Sequence, residues 1–260
     1  MAAMSDEHGR PAPPIVMLDE VDSTNAEALR RAAAGERGPL WICSRSQSQG
    51  RGRSGRSWLS PPGTLAASFL FEPGVAASAL PGLSLVAGVA TSDAISEIGR
   101  RHRQSSLPPR LKWPNDVLIG GAKLSGILIE SSSFGMELVA VVGIGINIEA
   151  RPAIDGRAVT SLAEQGVRCT PDELAATLAA AMARALAVWD CGNGFAHVRD
   201  AWLERATAVG TPITVNAGAG PVAGTFAGLD TDGALLLQDN MGIRRRFTFG
   251  DVMLAAPAKA

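Results

Sequence analysis

The sequence predicts an α+β fold in two parts, a larger unit at residues 15–208 and a small all-β unit at residues 209–260. In the larger unit, short apolar runs typical of strands alternate with segments whose apolar residues have helical spacing. From Gly210 onward the short β-type runs are separated by Gly, Asp and Asn. Residues 1–14 are polar, contain three prolines and are predicted to form a flexible arm.

The strands of the larger unit are predicted from apolar runs bounded by polar or glycine-containing turns. They lie at residues 15–18, 41–43, 64–71, 110–113, 117–119, 123–131 and 137–149. Short turns join the last four of these runs, and Gly120 and Gly121 are placed as a hairpin turn would be.

Four helices are predicted, and two of them have clear end signals. They span residues 25–34, 83–98, 171–189 and 195–205. In the first, Thr24 and Glu27 have the spacing of a capping box, and Gly35 is placed to end the helix. In the third, Thr170 is the expected N-cap, with proline at the first helical position and Glu173 two residues later.

The C-terminal unit is predicted to be a small β-barrel. Strands are expected at residues 213–215, 224–226 and 234–237, with Asp232 and Gly233 at a hairpin turn. The run of three arginines at residues 244–246 is interpreted as a solvated strand face. So short a unit would not be very stable alone.

Charge and cysteine content exclude several classes of protein. The 24 Lys and Arg residues balance 25 Asp and Glu, so a net charge of −1 provides no global field for nucleic acid or an anionic membrane. Three widely spaced cysteines argue against a disulfide framework or a zinc ribbon. The longest apolar run, residues 138–148, is too short to span a bilayer, and residues 1–14 lack an export signal. We therefore predict a soluble, cytoplasmic protein.

Residues 47–58, called the arginine loop below, alternate glycine with arginine ahead of Trp58. Glycine lets backbone N–H groups approach an anion, while Arg51, Arg53 and Arg56 offer donors suited to carboxylate and phosphate oxygens. We expect a loop that is mobile when empty and ordered by its ligand, with Trp58 offering an aromatic face to a nucleobase. Taken alone, a basic surface loop ahead of a core tryptophan explains the segment equally well.

Other motifs place polar groups beside predicted strands. Residues 112–116, Lys-Trp-Pro-Asn-Asp, end a strand in a sharp turn. Lys123 begins an apolar strand, where it either reaches water or enters the cavity closed by the arginine loop. Gly143 and Gly145 interrupt a strand, which indicates close approach of a ligand or another backbone. Residues 23–25, Ser-Thr-Asn, form a helix cap and offer polar groups to a neutral ligand.

In their order and spacing, these motifs closely resemble the biotin protein ligases. The matching segments are Ser-Thr-Asn at 23–25, Gly-Arg-Gly-Arg-Ser-Gly-Arg at 50–56 with Trp58, Lys-Trp-Pro-Asn-Asp at 112–116, Lys-Leu-Ser-Gly-Ile-Leu at 123–128 and Gly-Ile-Gly-Ile-Asn at 143–147. The resemblance covers nearly the whole chain. It implies a catalytic domain with a central mixed sheet, similar to class II aminoacyl-tRNA synthetases, and a C-terminal SH3-like barrel.

The resemblance also implies an activity. Biotin and ATP, with Mg²⁺, would form biotinyl-5′-AMP and release pyrophosphate. Biotin would then pass to a lysine of a biotin carboxyl carrier protein, a subunit of acetyl-CoA carboxylase, and other biotin-dependent carboxylases could be further acceptors. Only 22 residues precede Ser23, so no DNA-binding domain and no operator binding are expected. An exposed edge of the sheet could mediate a homodimer or accept the carrier.

Roles for individual residues follow from the same resemblance. Residues implied in catalysis are Lys123, Arg51, Arg53 and Asp116, the last as a group that orients the acceptor lysine. Residues implied in binding biotin are Ser23, Thr24, Asn25, Gln47, Gly50, Arg51, Gly52, Arg53, Lys123 and Gly126. Residues implied in binding ATP are Arg53, Arg56, Trp58, Asn115, Lys123 and Asn147. No metal ligand is implied, and Gln49 and Ser54 depart from the common pattern of the family.

Three alternatives stay open at this point. A lipoate or octanoate ligase of related architecture would differ in the acid that drives exchange between ATP and pyrophosphate. A nucleic-acid-binding module would use the arginine loop and Trp58, and its affinity would fall steeply with salt. An inactive scaffold is the third, although the expected polar groups are present.

Overall fold

The computed structural model describes residues 12–103, 108–153, 157–218 and 220–254. Most of the predicted N-terminal arm, residues 1–11, lies outside these ranges. The described residues form two β-sheets and four α-helices.

The first sheet has seven strands and is mixed. Its strands are β1 (Ile15–Leu18), β2 (Leu40–Ser44), β3 (Thr64–Phe71), β4 (Arg110–Lys112), β5 (Asp116–Ile119), β6 (Ala122–Phe134) and β7 (Glu137–Asn147). Their order is β1-β2-β3-β7-β6-β5-β4, with β1 parallel to β2 and every other neighbouring pair antiparallel. Every strand predicted for the larger unit is present, with ends that differ by up to three residues.

The four helices cover both faces of this sheet. They are α1 (Thr24–Ala33), α2 (Leu83–Arg101), α3 (Pro171–Trp189) and α4 (Phe195–Arg205). Helix α1 packs Ala28 and Ala32 against Leu70 and Val141 on one face. Helices α2, α3 and α4 contribute to the main apolar core on the other face. Because helices cover both faces of the sheet, the side chains on both faces of the central strands are buried, and these strands are almost continuously apolar.

The N-cap of α1 differs from the sequence prediction. Ser23, and not Thr24, has extended backbone angles, and its hydroxyl accepts a hydrogen bond from the Ala26 amide at 3.4 Å. Glu27 pairs with Arg30 and Arg31 instead of closing a capping box. Both candidate caps carry a hydroxyl, and the choice is decided by distant contacts of Thr24 that are described below.

Helices α2 and α3, with the short helical turns that adjoin them, are long and apolar enough to span a membrane by length and composition alone. In the fold they pack against each other, and both contact strands of the first sheet. The window of α2 that meets this test is 67% buried inside the protein. Its apolar composition is that of a core helix.

The second sheet has five antiparallel strands. They are β8 (Pro212–Asn216), β9 (Pro221–Leu229), β10 (Leu235–Asp239), β11 (Arg244–Phe247) and β12 (Asp251–Leu254), in the order β11-β10-β9-β8-β12. The predicted hairpin is present, with the Gly233 amide donating to the Asp230 carbonyl at 3.0 Å. Residues 244–246 are exposed, which confirms the solvated arginine face, whereas β12 was not predicted.

The two sheets share one apolar core. Leu111 and Trp202 from the larger unit lie with Ile213, Phe226 and Val252 from the smaller one. In addition, the Trp113 indole N–H donates to the carbonyl of Gly233 at 3.1 Å. The small unit is therefore stabilised by burial against its neighbour.

Candidate active site

The sequence motifs meet on the face of the first sheet that α1 covers. Pairing between adjacent strands aligns a row across six strands, formed by Ser44, Ala66, Gly145, Gly126, Asp116 and Lys112. Paired residues point to the same face, so these six side-chain positions lie side by side. The first four, called the trough below, are a serine, an alanine and two glycines, so no bulky side chain rises from the sheet there.

Trp58 lies in the trough. A Cβ atom at Gly145 would come within 2.4 Å of its indole Cε2, and one at Gly126 within 3.0 Å of its Cζ3. At Gly143 a Cβ would approach Asn25 Oδ1 to 2.3 Å. The close approach predicted at Gly143 and Gly145 is present, but side chains make it, and not a ligand or another backbone. A side chain at Gly145 or Gly126 would displace Trp58, and one at Gly143 would displace Asn25.

The arginine loop folds back on itself. The Gly52 amide donates to the Arg56 carbonyl at 2.7 Å, and the Trp58 amide donates to the Gly50 carbonyl at 2.9 Å. A Cβ at Gly50 would lie 2.3 Å from the Trp58 carbonyl oxygen. The loop also turns through positive φ at Ser54, 56°. Gly50 and Gly52 therefore shape the loop itself.

Each arginine of the loop reaches a different partner. Arg51 lies 3.4 Å from the Glu130 carboxylate, and its side chain is 46% exposed. Arg53 donates to Asn115 Oδ1 at 3.3 Å, and burial lowers the pKa of its guanidinium. Arg56 makes two bonds of 2.8 Å to the carboxylate of Asp251.

Three consecutive residues of the smaller unit, Gly250 and the first two of β12, hold three cations of the larger unit. The Gly250 carbonyl accepts from Arg53 at 3.4 Å, Asp251 pairs with Arg56, and the Val252 carbonyl accepts from Lys112 at 3.1 Å. Burial alone would raise the pKa of Asp251, but the hydrogen bonds and charge of Arg56 lower it below its usual range. No sequence signal marked Asp251, because one acid in a short strand has many ordinary explanations.

Replacing Asp251 by asparagine should loosen the arginine loop. Both side chains of the pair are more than a third exposed, so we expect the free energy that holds the loop closed to fall by about 1 kcal/mol. Tryptic cleavage within residues 51–56 should then be roughly fivefold faster. Asp232→Asn, which removes an exposed partner of Arg246 in the same unit, is the control. Equal cleavage rates in both variants would show that Asp251 does not hold the loop.

Asp116 sits between two lysines. Its carboxylate lies 2.8 Å from Lys112 Nζ and 2.5 Å from Lys123 Nζ, and its side chain is only 12% exposed. Burial alone would raise the pKa of Asp116, but the charges and hydrogen bonds of Lys123 and Lys112 lower it below the usual value. Lys123 also lies 5.4 Å from the centre of the Trp58 ring. In this arrangement Asp116 positions Lys123 beside the trough.

The depressed pKa of Asp116 predicts how stability depends on pH. A carboxylate with a lowered folded-state pKa stabilises the protein above its unfolded-state value, near 3.8, and this contribution is lost as pH falls through the folded-state pKa. Asp116→Asn should therefore lower the free energy of unfolding by about 3 kcal/mol at pH 7 and by less below pH 3.8. Urea unfolding at both pH values measures this, with exposed Asp200→Asn as control. A pH-independent difference would contradict it.

A chain of polar side chains begins at Glu130 and runs under α1. Asn25 donates to Glu130 at 2.7 Å, and Ser68 donates to Asn25 at 2.5 Å. Ser68 also lies 2.7 Å from the Thr24 hydroxyl, and the Thr24 amide donates to Gln47 Oε1 at 2.8 Å. Ser23 caps α1 beside them. Ser68 and Glu130 lie outside the site residues predicted from the sequence.

The two asparagines implied in binding ATP donate hydrogen bonds to backbone carbonyls. Asn115 donates to the Ile127 carbonyl at 2.7 Å, and Asn147 donates to the Thr160 carbonyl at 2.9 Å. Among the described residues, four buried side-chain polar atoms have no partner, and three belong to Trp58, Ser125 and Asn147. Because buried polar atoms are nearly always paired, their concentration in the motifs is typical of a ligand site.

Comparison with known proteins identifies the family. The profile of the biotin/lipoate A/B protein ligase family matches residues 19–147, and that of the biotin protein ligase C terminal domain matches residues 209–254. The biotin--[acetyl-CoA-carboxylase] ligase of Paracoccus denitrificans is 42% identical over 234 residues, 87% of this chain and 95% of that relative. The chain belongs to the biotin/lipoate A/B protein ligase family.

Two further members of this ligase family match over most of the chain. The bifunctional ligase/repressor BirA of Escherichia coli (strain K12) is 31% identical over 252 residues, 94% of this chain and 75% of that protein. The biotin protein ligase from Aquifex aeolicus in complex with biotin and ATP has a TM-score of 0.77 and 27% identity, covering 93% of this chain and 99% of that chain. The matches confirm the family, ligase class and fold expected from the sequence.

Proposed function

We propose that this chain is an ATP-dependent biotin–protein ligase. It forms biotinyl-5′-AMP with release of pyrophosphate and then transfers biotin to a lysine of the biotin carboxyl carrier protein of acetyl-CoA carboxylase. The observation that carries the proposal is the juxtaposition of Arg51, Arg53 and Lys123 with the neutral polar groups of Thr24 and Gln47 around one trough. Such a site suits a ligand with a polar, uncharged head and a carboxylate tail.

The neutral end of the site is proposed to hold the ureido ring of biotin. Ser23, Thr24 and Gln47 supply hydroxyl and amide groups there, with Asn25 behind them. A cyclic urea presents two N–H donors and one carbonyl acceptor, and such groups can satisfy both kinds. The dithiolane of lipoate and the methyl end of octanoate would leave these polar groups unpaired, which favours biotin over the related alternative.

The charged end is proposed to bring biotin carboxylate and ATP together. Two negative charges at about 4 Å repel by about 4 kcal/mol at an effective dielectric near 20. Arg51, Arg53 and Lys123 offset this repulsion and stabilise charge on the α-phosphate while the biotin oxygen attacks it. Gly126 and the loop glycines Gly50 and Gly52 keep the backbone close to these groups. No protein nucleophile is required.

The nucleotide is proposed to lie along Trp58, with Arg56, Asn115 and Asn147 as further contacts. Among the described residues, no cluster of three His, Cys, Asp or Glu side chains could hold a metal ion. Mg²⁺ would therefore be held mainly by ATP phosphates and water, as is common for this ion, and would supply charge neutralisation.

Several wider assignments belong to the same proposal. Residues 15–208 would form the catalytic domain and residues 209–260 an SH3-like domain, in a cytoplasmic protein. Other biotin-dependent carboxylases are proposed as further acceptors. The edge strands β1 and β4 of the first sheet are the proposed places where a second copy of the chain or the carrier could pair.

The function is tested by incubating the protein with biotin, ATP, Mg²⁺ and a carrier domain and measuring the intact mass of the carrier. Biotin should add its acyl group to one carrier lysine, and biotin should also drive exchange of pyrophosphate into ATP. Lipoate and octanoate serve as the competing acids. Exchange driven by either of these, with none by biotin, would replace the proposal by the alternative ligase.

A further inference from the structure

The chain of hydrogen bonds under α1 has a fixed direction. It runs from Glu130 through Asn25 and Ser68 to Thr24 and then Gln47. Asn25, Ser68 and Thr24 are buried, so water does not compete for their hydrogen bonds. The only carboxylate in this chain of side chains is that of Glu130, at the end nearest the arginine loop.

A carboxylate accepts hydrogen bonds and does not donate them. Asn25 must therefore turn its Nδ2 to Glu130, at 2.7 Å, which leaves its Oδ1 facing Ser68. Ser68 has a single proton and donates it to this oxygen at 2.5 Å. Each step leaves one possibility for the next group.

The hydrogen bonds at the far end of the chain also have a fixed direction. The Thr24 hydroxyl lies 2.7 Å from Ser68 Oγ and 3.2 Å from Gln47 Oε1, so its only proton is used inside the protein. Gln47 Oε1 already accepts from the Thr24 amide, so the Gln47 Nε2 group is the one that stays available. The far end thus presents lone pairs at Thr24 and N–H donors at Gln47.

We propose that Glu130 is a positioning residue that determines specificity for the ureido ring by fixing the direction of this chain. This inference rests on the proposed function, in which Thr24 and Gln47 contact that ring. An acceptor at Thr24 and a donor at Gln47 match an N–H and a C=O of a cyclic urea. Glu130 acts through Asn25 and Ser68 and does not touch biotin.

Two variants test the proposal. Glu130→Gln keeps the shape but allows the side chain to donate, so only the Leu128 carbonyl, 3.5 Å from Asn25 Nδ2, still favours the original orientation of Asn25. Ser68→Ala breaks the chain and leaves Glu130 paired with Arg51. Each should raise KM for biotin about 10- to 100-fold while KM for ATP stays within about twofold. The double variant should be no worse than the poorer single variant, because both act on one chain.

A biotin analogue of altered polarity distinguishes this role from a merely structural one, because only a change in hydrogen-bond direction would alter the preference for biotin over the analogue. In 2-iminobiotin a protonated imine replaces the urea oxygen, so an acceptor becomes a donor. The wild type should discriminate strongly against it, and Glu130→Gln should reduce the ratio of the two kcat/KM values about tenfold. Glu137→Gln is the matched control, since Glu137 pairs with Arg37 at 2.7 Å on an exposed part of the same sheet.

The outcomes separate the inference from the function beneath it. If the wild type shows no biotin-driven pyrophosphate exchange, both fall. If the wild type is active and Ser68→Ala leaves KM for biotin unchanged, only the role of Glu130 is overturned. An equal rise of KM for biotin and for ATP would also overturn it, because that pattern indicates general damage. Should Glu130→Gln fail to fold, Ser68→Ala with 2-iminobiotin decides alone.

Discussion

Replacing Lys123 by alanine is expected to slow biotin-dependent release of pyrophosphate by about 10²- to 10³-fold, as is typical for the loss of one preorganised charge-stabilising group. Lys123 is held beside the trough by Asp116 and lies 5.4 Å from the centre of the Trp58 ring. It can therefore reach both a carboxylate and a phosphate placed there. Single-turnover measurement of pyrophosphate release gives the effect on the first step.

Two further variants show whether the charge of Lys123 is responsible. Lys123→Ala also leaves Asp116 with one lysine, and an uncompensated buried carboxylate is itself costly. Adding Asp116→Asn removes that cost, so the double variant should regain stability but not rate. Arg184→Ala, which removes an exposed cation on α3, should leave the rate unchanged. A fall of less than tenfold in Lys123→Ala would assign Lys123 to the structure alone.

The sequence predicts the strands and helices well because their signals are local. Runs of apolar residues, the cap at Thr170 and the glycine pair at Gly120 and Gly121 all act within a few residues of themselves. At the start of α1 the sequence predicts Thr24 as the N-cap, whereas the structure has Ser23, and this difference shows the limit of local signals. Both residues can cap a helix, and the hydrogen bond from Thr24 to Gln47, 23 residues away, decides between them.

The pairing register of the strands cannot be predicted from local sequence patterns. Ser68 and Leu128 lie opposite Gly143 only because β3, β7 and β6 pair with a particular offset. The trough arises in the same way, since Ser44 and Ala66 belong to it only because the register aligns them with Gly145. The motifs are recognisable without this alignment, whereas their supports, such as Glu130 and Asp251, are ordinary residues until the strands are paired.

Domain contact is equally hidden from the sequence. The sequence predicts an arginine loop that is ordered by its ligand, and the family resemblance implies that Arg56 contacts ATP. In the fold Arg56 is bound by Asp251, 195 residues further along the chain. A bidentate guanidinium–carboxylate pair has strict geometry, so a phosphate that reaches Arg56 must share or replace that carboxylate. The C-terminal unit is thereby linked to the loop.

Replacing Arg51 by glycine should both slow adenylate formation and let activated biotin escape. The side chain of Arg51 is 46% exposed, and Glu130 is its ion-pair partner at 3.4 Å. Removing it takes away one cation from the charged end and one contact between loop and sheet. Because the mixed anhydride reacts with any amine once released, we expect about tenfold more labelling of an unrelated lysine-rich protein.

The leak is measured with streptavidin after incubation with biotin, ATP and serum albumin, with and without the carrier domain. Arg245→Gly is the control, because Arg245 also pairs with an acid, Asp239 at 2.8 Å, but lies in the second sheet. Slower adenylation alone would mean that Arg51 acts only on charge. Slower adenylation together with albumin labelling would mean that the loop also retains the intermediate, since a purely electrostatic defect produces less adenylate and has no reason to release more of it.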